Sequence, residues 1–136
     1  MDKNELQTVA SWVLEFPQWG DQPLQVDMTP PAPGSCGLFP IGEEEIQRQE
    51  DVLGGILCRY RQEYLLRRVA LRGENAAAWL MAFGRWVKTT PPPKLGQECV
   101  ARALRGRMLT SVNTGIATYE IKISMEYSEE LNYGKN

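Results

Sequence analysis

From Tyr119 to Tyr127 apolar side chains hold every odd position and polar ones every even position. Alternation with period two marks a strand with one buried and one wetted face. Thr118–Tyr127 is therefore predicted to be a strand. Two other stretches carry the period of a helix. In Glu5–Trp19, Leu6, Val9, Val13 and Phe16 recur at spacings of three and four. Asn4 is placed to cap it, with Gln7 completing a weak capping box, and Pro17 and Gly20 stop it. In Asn75–Thr89, Trp79, Leu80, Phe83, Trp86 and Val87 form one broad apolar face. Ala76, Ala77 and Ala78 favour that helix, and Pro91-Pro92-Pro93 ends it. Trp12, Trp19 and the aromatics of the second helix read as core and not as a ligand cage.

Between the helices the pattern changes. Gln22–Gly34 contains Pro23, Pro30, Pro31 and Pro33 and reads as a long loop, either functional or a surface wrap. Ser35–Ile41 reads as a short apolar strand. Glu43, Glu44, Glu45, Glu50 and Asp51 then precede Gly54-Gly55, and Arg59, Arg61, Arg67, Arg68 and Arg72 follow it. Acidic and basic runs on either side of Gly-Gly predict an antiparallel hairpin over Glu43–Leu71. A type II′ turn at Gly55-Ile56 sets Glu50 opposite Arg61, Arg48 opposite Glu63, Ile46 opposite Leu65 and Glu44 opposite Arg67. Slipping the turn to Gly54-Gly55 sets Arg48 against Arg61. Cross-strand pairs contribute about 0.2–1 kcal/mol each, which favours the first register. Arg48 and Glu63 on opposite faces of the sheet would refute it. Gln97–Ser111 reads as a strand pair with a bulge or turn at Gly106, and Asn113-Thr114-Gly115 turns the chain into the last strand.

These elements predict a single α+β domain over residues 1–136: two helices packed on a mainly antiparallel sheet, with a long protruding β-hairpin. A chain of 136 residues can bury a real core. The net charge of −2, from 15 basic and 17 acidic residues, argues against a general nucleic-acid coat. No apolar run approaches the roughly 20 residues that span a bilayer. Met1-Asp2-Lys3-Asn4-Glu5 has no signal-peptide character, so the cytoplasm is the expected compartment. Cys36, Cys58 and Cys99 are far apart and are expected to be reduced thiols, one or two of them buried.

The chain contains no histidine. That removes Ser-His-Asp and Cys-His catalysis and His-ligated metals. Glu43-Glu44-Glu45 on an extended segment alternate between faces and make a poor metal site. No nucleotide-binding or calcium-loop motif is present. Arg59, Arg61, Arg67 and Arg68 could form a phosphate-contacting patch, but the acids nearby favour charge pairing. Only Tyr60 and Tyr64 interleave with them as stacking platforms. The expectation is a protein without catalytic residues, cofactor or metal, not an enzyme. A long charged arm on a small domain suits assembly, although fold alone does not fix function.

The order of elements resembles the tail terminator and related minor tail or minor capsid proteins of long-tailed bacteriophages. The resemblance rests on helix Glu5–Trp19, hairpin Glu43–Leu71, helix Asn75–Thr89 and the alternating strand Thr118–Tyr127, ending Ile121-Lys122-Ile123-Ser124-Met125-Glu126-Tyr127. Arg72-Gly73-Glu74-Asn75-Ala76-Ala77-Ala78-Trp79-Leu80 is similar to small head–tail joining proteins from prophages of Gram-positive bacteria. The family's motifs are patterns of elements, and the Pro-rich loop is longer than expected for it. The resemblance implies a homo-oligomeric ring, of six subunits, that caps the tail tube, stops its growth and offers a docking face to the head connector or head-completion protein. It implies assembly in the host bacterial cytoplasm and residence in the virion, at the tail or neck. A head-closure or connector-joining minor capsid protein, or a non-viral adaptor module, are the alternatives. Glu43, Glu44, Glu45, Glu50, Arg59, Arg61, Arg67 and Arg68 are the candidate subunit and partner contacts. No membrane partner and no sequence-specific nucleic-acid binding are expected.

Overall fold

The computed structural model describes residues 3–29, 33–71, 76–104, 107–111 and 115–132. The elements run α1 (Lys3–Val13), β1 (Leu24–Val26), β2 (Cys36–Glu50), β3 (Gly55–Leu71), α2 (Ala76–Thr89), β4 (Gln97–Ala103), β5 (Arg107–Ser111) and β6 (Ile116–Asn132). The class is α+β, as the hydrophobic patterns predict. The strands form one six-stranded sheet in the order β1-β2-β3-β6-β4, with β5 also on β6. β4 and β5 pair with successive stretches of β6, so they lie end to end along one edge. Every pairing is antiparallel except the short β1–β2 ladder.

The first helix stops earlier than its apolar stripe suggests, at Val13 and not Trp19. Pro17 has no N–H to give to the Val13 carbonyl, and its ring crowds that carbonyl. The chain tightens instead to shorter turns, with Glu15 N bonded to Trp12 O and Phe16 N to Val13 O. The helix begins at Lys3, which puts Asn4 inside the first turn and not at the cap. The last strand is longer than its clean alternation, extending to Ile116 and Asn132. It is held along its full length by β3. The Pro-rich stretch is not wholly loop. Leu24–Val26 pairs in parallel with Cys36–Leu38, and Asp27 N bonds to Leu38 O at 3.0 Å. Gly37 permits this crossing, because a Cβ there would lie 2.2 Å from the Met28 carbonyl oxygen. Expectations for Pro30, Pro31, Arg72–Asn75, Arg105-Gly106 and Asn113-Thr114, and for the Asn4 side chain, lie outside the described residues.

The core fills the space between the helices and one face of the sheet. Val9, Val13 and Phe16 meet Leu80, Phe83 and Val87 above Leu38, Tyr64, Leu66, Ile121, Ile123 and Met125. Phe16 packs edge-on to Trp79 and Phe83, at 5.4 and 5.3 Å between centroids. Three of the four indole N–H groups have a main-chain acceptor: Trp12 at Pro91 (2.9 Å), Trp19 at Gln22 (2.8 Å) and Trp79 at Gln18 (2.8 Å). The Trp12 bond ties α1 to the segment after α2, and the Trp79 bond ties α2 to the segment after α1.

Candidate assembly surface on the charged strands

β2 and β3 are antiparallel neighbours, but a free two-stranded arm is not what forms. β6 pairs with β3 from Gly55 to Leu71, so the charged segment is three strands wide. The register also differs from the one inferred from charge. Glu50 lies opposite Ile56, Arg48 opposite Cys58, and Glu44 opposite Arg61. Arg48 therefore shares a face with Cys58, and Glu63 lies on the other face; the type II′ register is refuted. Local turn chemistry is the reason. Asp51 Oδ1 accepts from Leu53 N (2.8 Å) and Gly55 N (2.9 Å), closing an Asx-type turn over residues 51–54. Gly54 takes φ +84°, the left-handed conformation glycine adopts at no steric cost, and a Cβ on Gly55 would meet Asp51 Oδ2 at 2.5 Å. Both glycines are thus explained without a Gly55-Ile56 turn. Two bulges, at Pro40/Gly42 and Glu45/Gln47, shift the pairing further. Pro40 cannot donate to the ladder, and Ile41 is squeezed out beside it.

The face away from the helices carries a ladder of charges. Arg61 Nη1 lies 3.0 Å from Glu44 Oε1, and its Nη2 lies 3.4 Å from Glu126 Oε2. Arg59 Nε lies 3.6 Å from Glu126 Oε1, and its Nη1 donates to Ser128 Oγ at 3.0 Å. Lys122 Nζ lies 2.9 Å from Glu63. Arg67 Nε lies 3.2 Å from Glu120 Oε2, while its guanidinium covers the Phe39 ring at 4.6 Å. The arginines of β3 thus find most of their acids on β6. Glu120, Lys122 and Glu126 were missed as site residues. Their signal was the polar half of the last strand's alternation, which sets exactly those positions toward the odd positions of β3 once the two strands pair.

The other candidates fall on the helix face. Glu43 accepts hydrogen bonds from Gln62 and Tyr127. Glu45 accepts from the Cys58 thiol at 3.2 Å and from Arg48 at 3.4 Å. Glu50 lies 3.8 Å from Arg48 and is largely exposed. Arg68 lies over Trp79. The eight candidates therefore do not form one surface: Glu44, Arg59, Arg61 and Arg67 share the open face, and Glu43, Glu45, Glu50 and Arg68 share the face that bears the helices. Tyr60 and Tyr64 also lie on the helix face, with Tyr64 fully buried. The arginines of the open face have no aromatic partners from β3 with which to stack bases.

Burial and hydrogen bonding set the protonation of the inner groups. Burial pushes the Cys58 thiol up, and the bond to Glu45 adds to it. Burial raises Cys36 against the opposing pull of Arg68. Tyr60 is pushed up to about 12, first by its hydrogen bond with Cys58 and then by burial. Cys36 and Cys58 are buried free thiols, and Cys99 is half-buried.

Two apolar side chains, Val52 and Leu53, stand almost wholly exposed at the Asp51–Gly54 turn. Ile41, Val100 and Leu104 are also exposed, near the two edges of the sheet. Among the described residues no helix is long and apolar enough to cross a membrane. No protein-family model and no curated protein matches the chain.

Proposed function

We propose that this protein is a structural subunit of a long-tailed phage particle: a ring, of six subunits, that caps the tail tube, stops its growth and joins it to the head connector. The reading assigns no reaction and no cofactor. It rests on the resemblance in element order and, in the structure, on one observation. The sheet has two free edges of unlike charge. Beyond Leu38, β2 has no strand on its outer side among the described residues, and neither does β4. The first edge carries Glu43, Glu44, Glu45 and Glu50 against Arg48, four acids less one base, or −3. On the second, β4 carries Arg102 against Glu98, one base less one acid, or 0. Two unlike surfaces on one chain make a head-to-tail contact, which closes into a ring when the rotation per subunit divides a full turn. The charge difference sets which edge meets which and disfavours like-edge pairing.

The test has two parts. Light scattering and negative-stain microscopy of the purified protein should show closed rings at micromolar concentration and low salt, dissociating as salt rises. Particles made without the gene should carry overlong tubes and unjoined heads. Tubes of normal length left unattached to heads would assign the head-closure role instead. A protein that stays monomeric, with intact particles in its absence, would sink the assembly reading in favour of an adaptor.

A further inference from the structure

The acids of the open face are matched within the chain, and the unmatched ones lie at the end of the charged strands. Glu44, Glu63, Glu120 and Glu126 each have a cation within 4 Å. At the turn between β2 and β3 the described residues give Asp51 and Glu130 no ion pair, and give Glu50 only Arg48, at 3.8 Å. Next to these acids stand Val52, 100% exposed, and Leu53, 87% exposed. Asp51 fixes both in place by closing the turn. Beside it a concavity of about 610 Å³ is walled by Glu50, Asp51 and Glu130 together with Ile56 and Leu57. The tip thus presents an aliphatic knob beside an acidic, partly apolar hollow.

A surface of opposite character lies on α2. The segment Ala76–Thr89 contains Arg85 and Lys88 and no acid. Ala78, Met81, Arg85 and Lys88 recur at spacings of three and four, so they share one side of the helix, and all four are exposed. Neither cation has an ion pair among the described residues. The stripe is an aliphatic patch followed by two positive charges, which complements the tip in both respects. A tip cannot reach the stripe of its own chain. Gly84 sits over Ile121, and Ile121 pairs with Leu66, eleven residues along β3 from Gly55. At about 3.4 Å per residue the two lie about 35 Å apart along the strand. The acids around Leu53 oppose both an anionic membrane and nucleic acid, whereas a cationic protein surface attracts them, and this chain itself supplies one.

We propose that the Asp51–Gly54 turn of one copy docks on the Ala78–Lys88 stripe of α2 in a second copy, with Val52 and Leu53 against Ala78 and Met81 and the basic side chains entering the acidic hollow. The two surfaces are unlike, so each copy has one of each to offer. The contact uses neither free edge of the sheet and does not rest on the ring reading.

The Met81 ε-methyl and Leu53 methyl resonances read the two sides separately, and are assigned by their absence in Met81→Leu and Leu53→Lys. In the native protein both should shift as concentration rises from micromolar to millimolar, and the shifts should shrink as sodium chloride is added. In Leu53→Lys the Met81 signal should hold one position at every concentration. In the double variant Arg85→Glu, Lys88→Glu the Leu53 signals should do the same. All three changes are at exposed positions, and unchanged core methyl signals report that the fold is kept. Mixing the two variants sets the intact tip of one against the intact stripe of the other. The shifts should then return, for Leu53 of the double variant and for Met81 of Leu53→Lys. A Met81 signal at the same position in native and Leu53→Lys protein at every concentration would overturn the proposal; rings in those same samples would leave the ring reading standing without it. A Leu53 shift caused by phosphatidylcholine vesicles and not by concentration would overturn it in favour of a lipid surface.

Discussion

Gln62 and Glu43 sit directly opposite each other on neighbouring strands, and Gln62 Nε2 donates to Glu43 Oε2 at 2.7 Å. Gln62 is fully buried and central to a larger set of bonds. Its amide nitrogen also lies 2.6 Å from Glu5 Oε2 and 3.0 Å from the Tyr127 hydroxyl, and its oxygen accepts from Tyr64 at 2.6 Å. One amide thereby links α1, β2, β3 and β6. Gln62→Leu keeps the volume but removes both the donor and the acceptor. Leaving buried polar partners unsatisfied costs about 1–3 kcal/mol each, so the loss should reach about 3 kcal/mol or more in urea unfolding. A loss below about 1 kcal/mol would show that water replaces the amide at little cost.

Phe83 is fully buried and has ring contacts with Phe16, Trp79 and Trp86. Phe83→Ala removes the centre of that cluster, and the surrounding rings cannot collapse into the space. The expected loss is about 3–5 kcal/mol, read from the same unfolding curves.

Charge reversal separates the two arginines that the sequence treats alike. Arg61 is 37% exposed and its partner Glu44 is 62% exposed. Arg61→Glu should shift monomer stability by no more than about 1 kcal/mol, while weakening any charge-dependent assembly seen by light scattering. Arg67→Glu places a carboxylate against Glu120, whose side chain is only 7% exposed. It should lower the melting temperature clearly below that of Arg61→Glu. The single Arg61 variant is therefore the one that tests ring closure, and a double reversal confounds assembly with folding.

Asp51 organises the turn with two side-chain bonds, whereas Val52 and Leu53 contribute no burial. Asp51→Ala should cost about 1–2 kcal/mol. Leu53→Lys should leave stability within about 0.5 kcal/mol of the native chain. Equal losses from both would mean that the exposed leucine packs on something in solution.

Stability should fall on the alkaline side. The thiols of Cys36, Cys58 and Cys99 and the phenols of Tyr60, Tyr64 and Tyr127 are all held above their ordinary values in the folded chain, chiefly by burial except at Tyr60, where the bond with Cys58 leads. For these groups the folded state binds protons more tightly than the unfolded one. Their stabilisation is complete below the unfolded values, 9.0 for the thiols and 10.0 for the phenols, and is lost as pH rises through the folded values. Urea midpoints should be level from pH 7 to about 8.5, then fall steadily toward the Tyr60 value of about 12. A midpoint unchanged at pH 10.5 would contradict this.

The sequence by itself determined the elements whose signals are local. The period-two run around Ile121 and Ile123, the helical stripe of Trp79, Leu80 and Phe83, and the proline stops all follow from geometry within a few residues of each other. They suffice for an α+β fold, a buried aromatic cluster and a charged central strand. Which charges meet was decided only by the tertiary structure. Pairing depends on register, and the Asp51 side chain and the two bulges of β2 moved that register by five or more positions from the one charge matching favours. Surface pairs worth a fraction of a kilocalorie cannot outweigh a turn closed by several hydrogen bonds and a core face that must point inward. For the same reason Glu120 and Glu126 became the partners of β3, and Arg68, one residue from Arg67, was turned to the other face of the sheet.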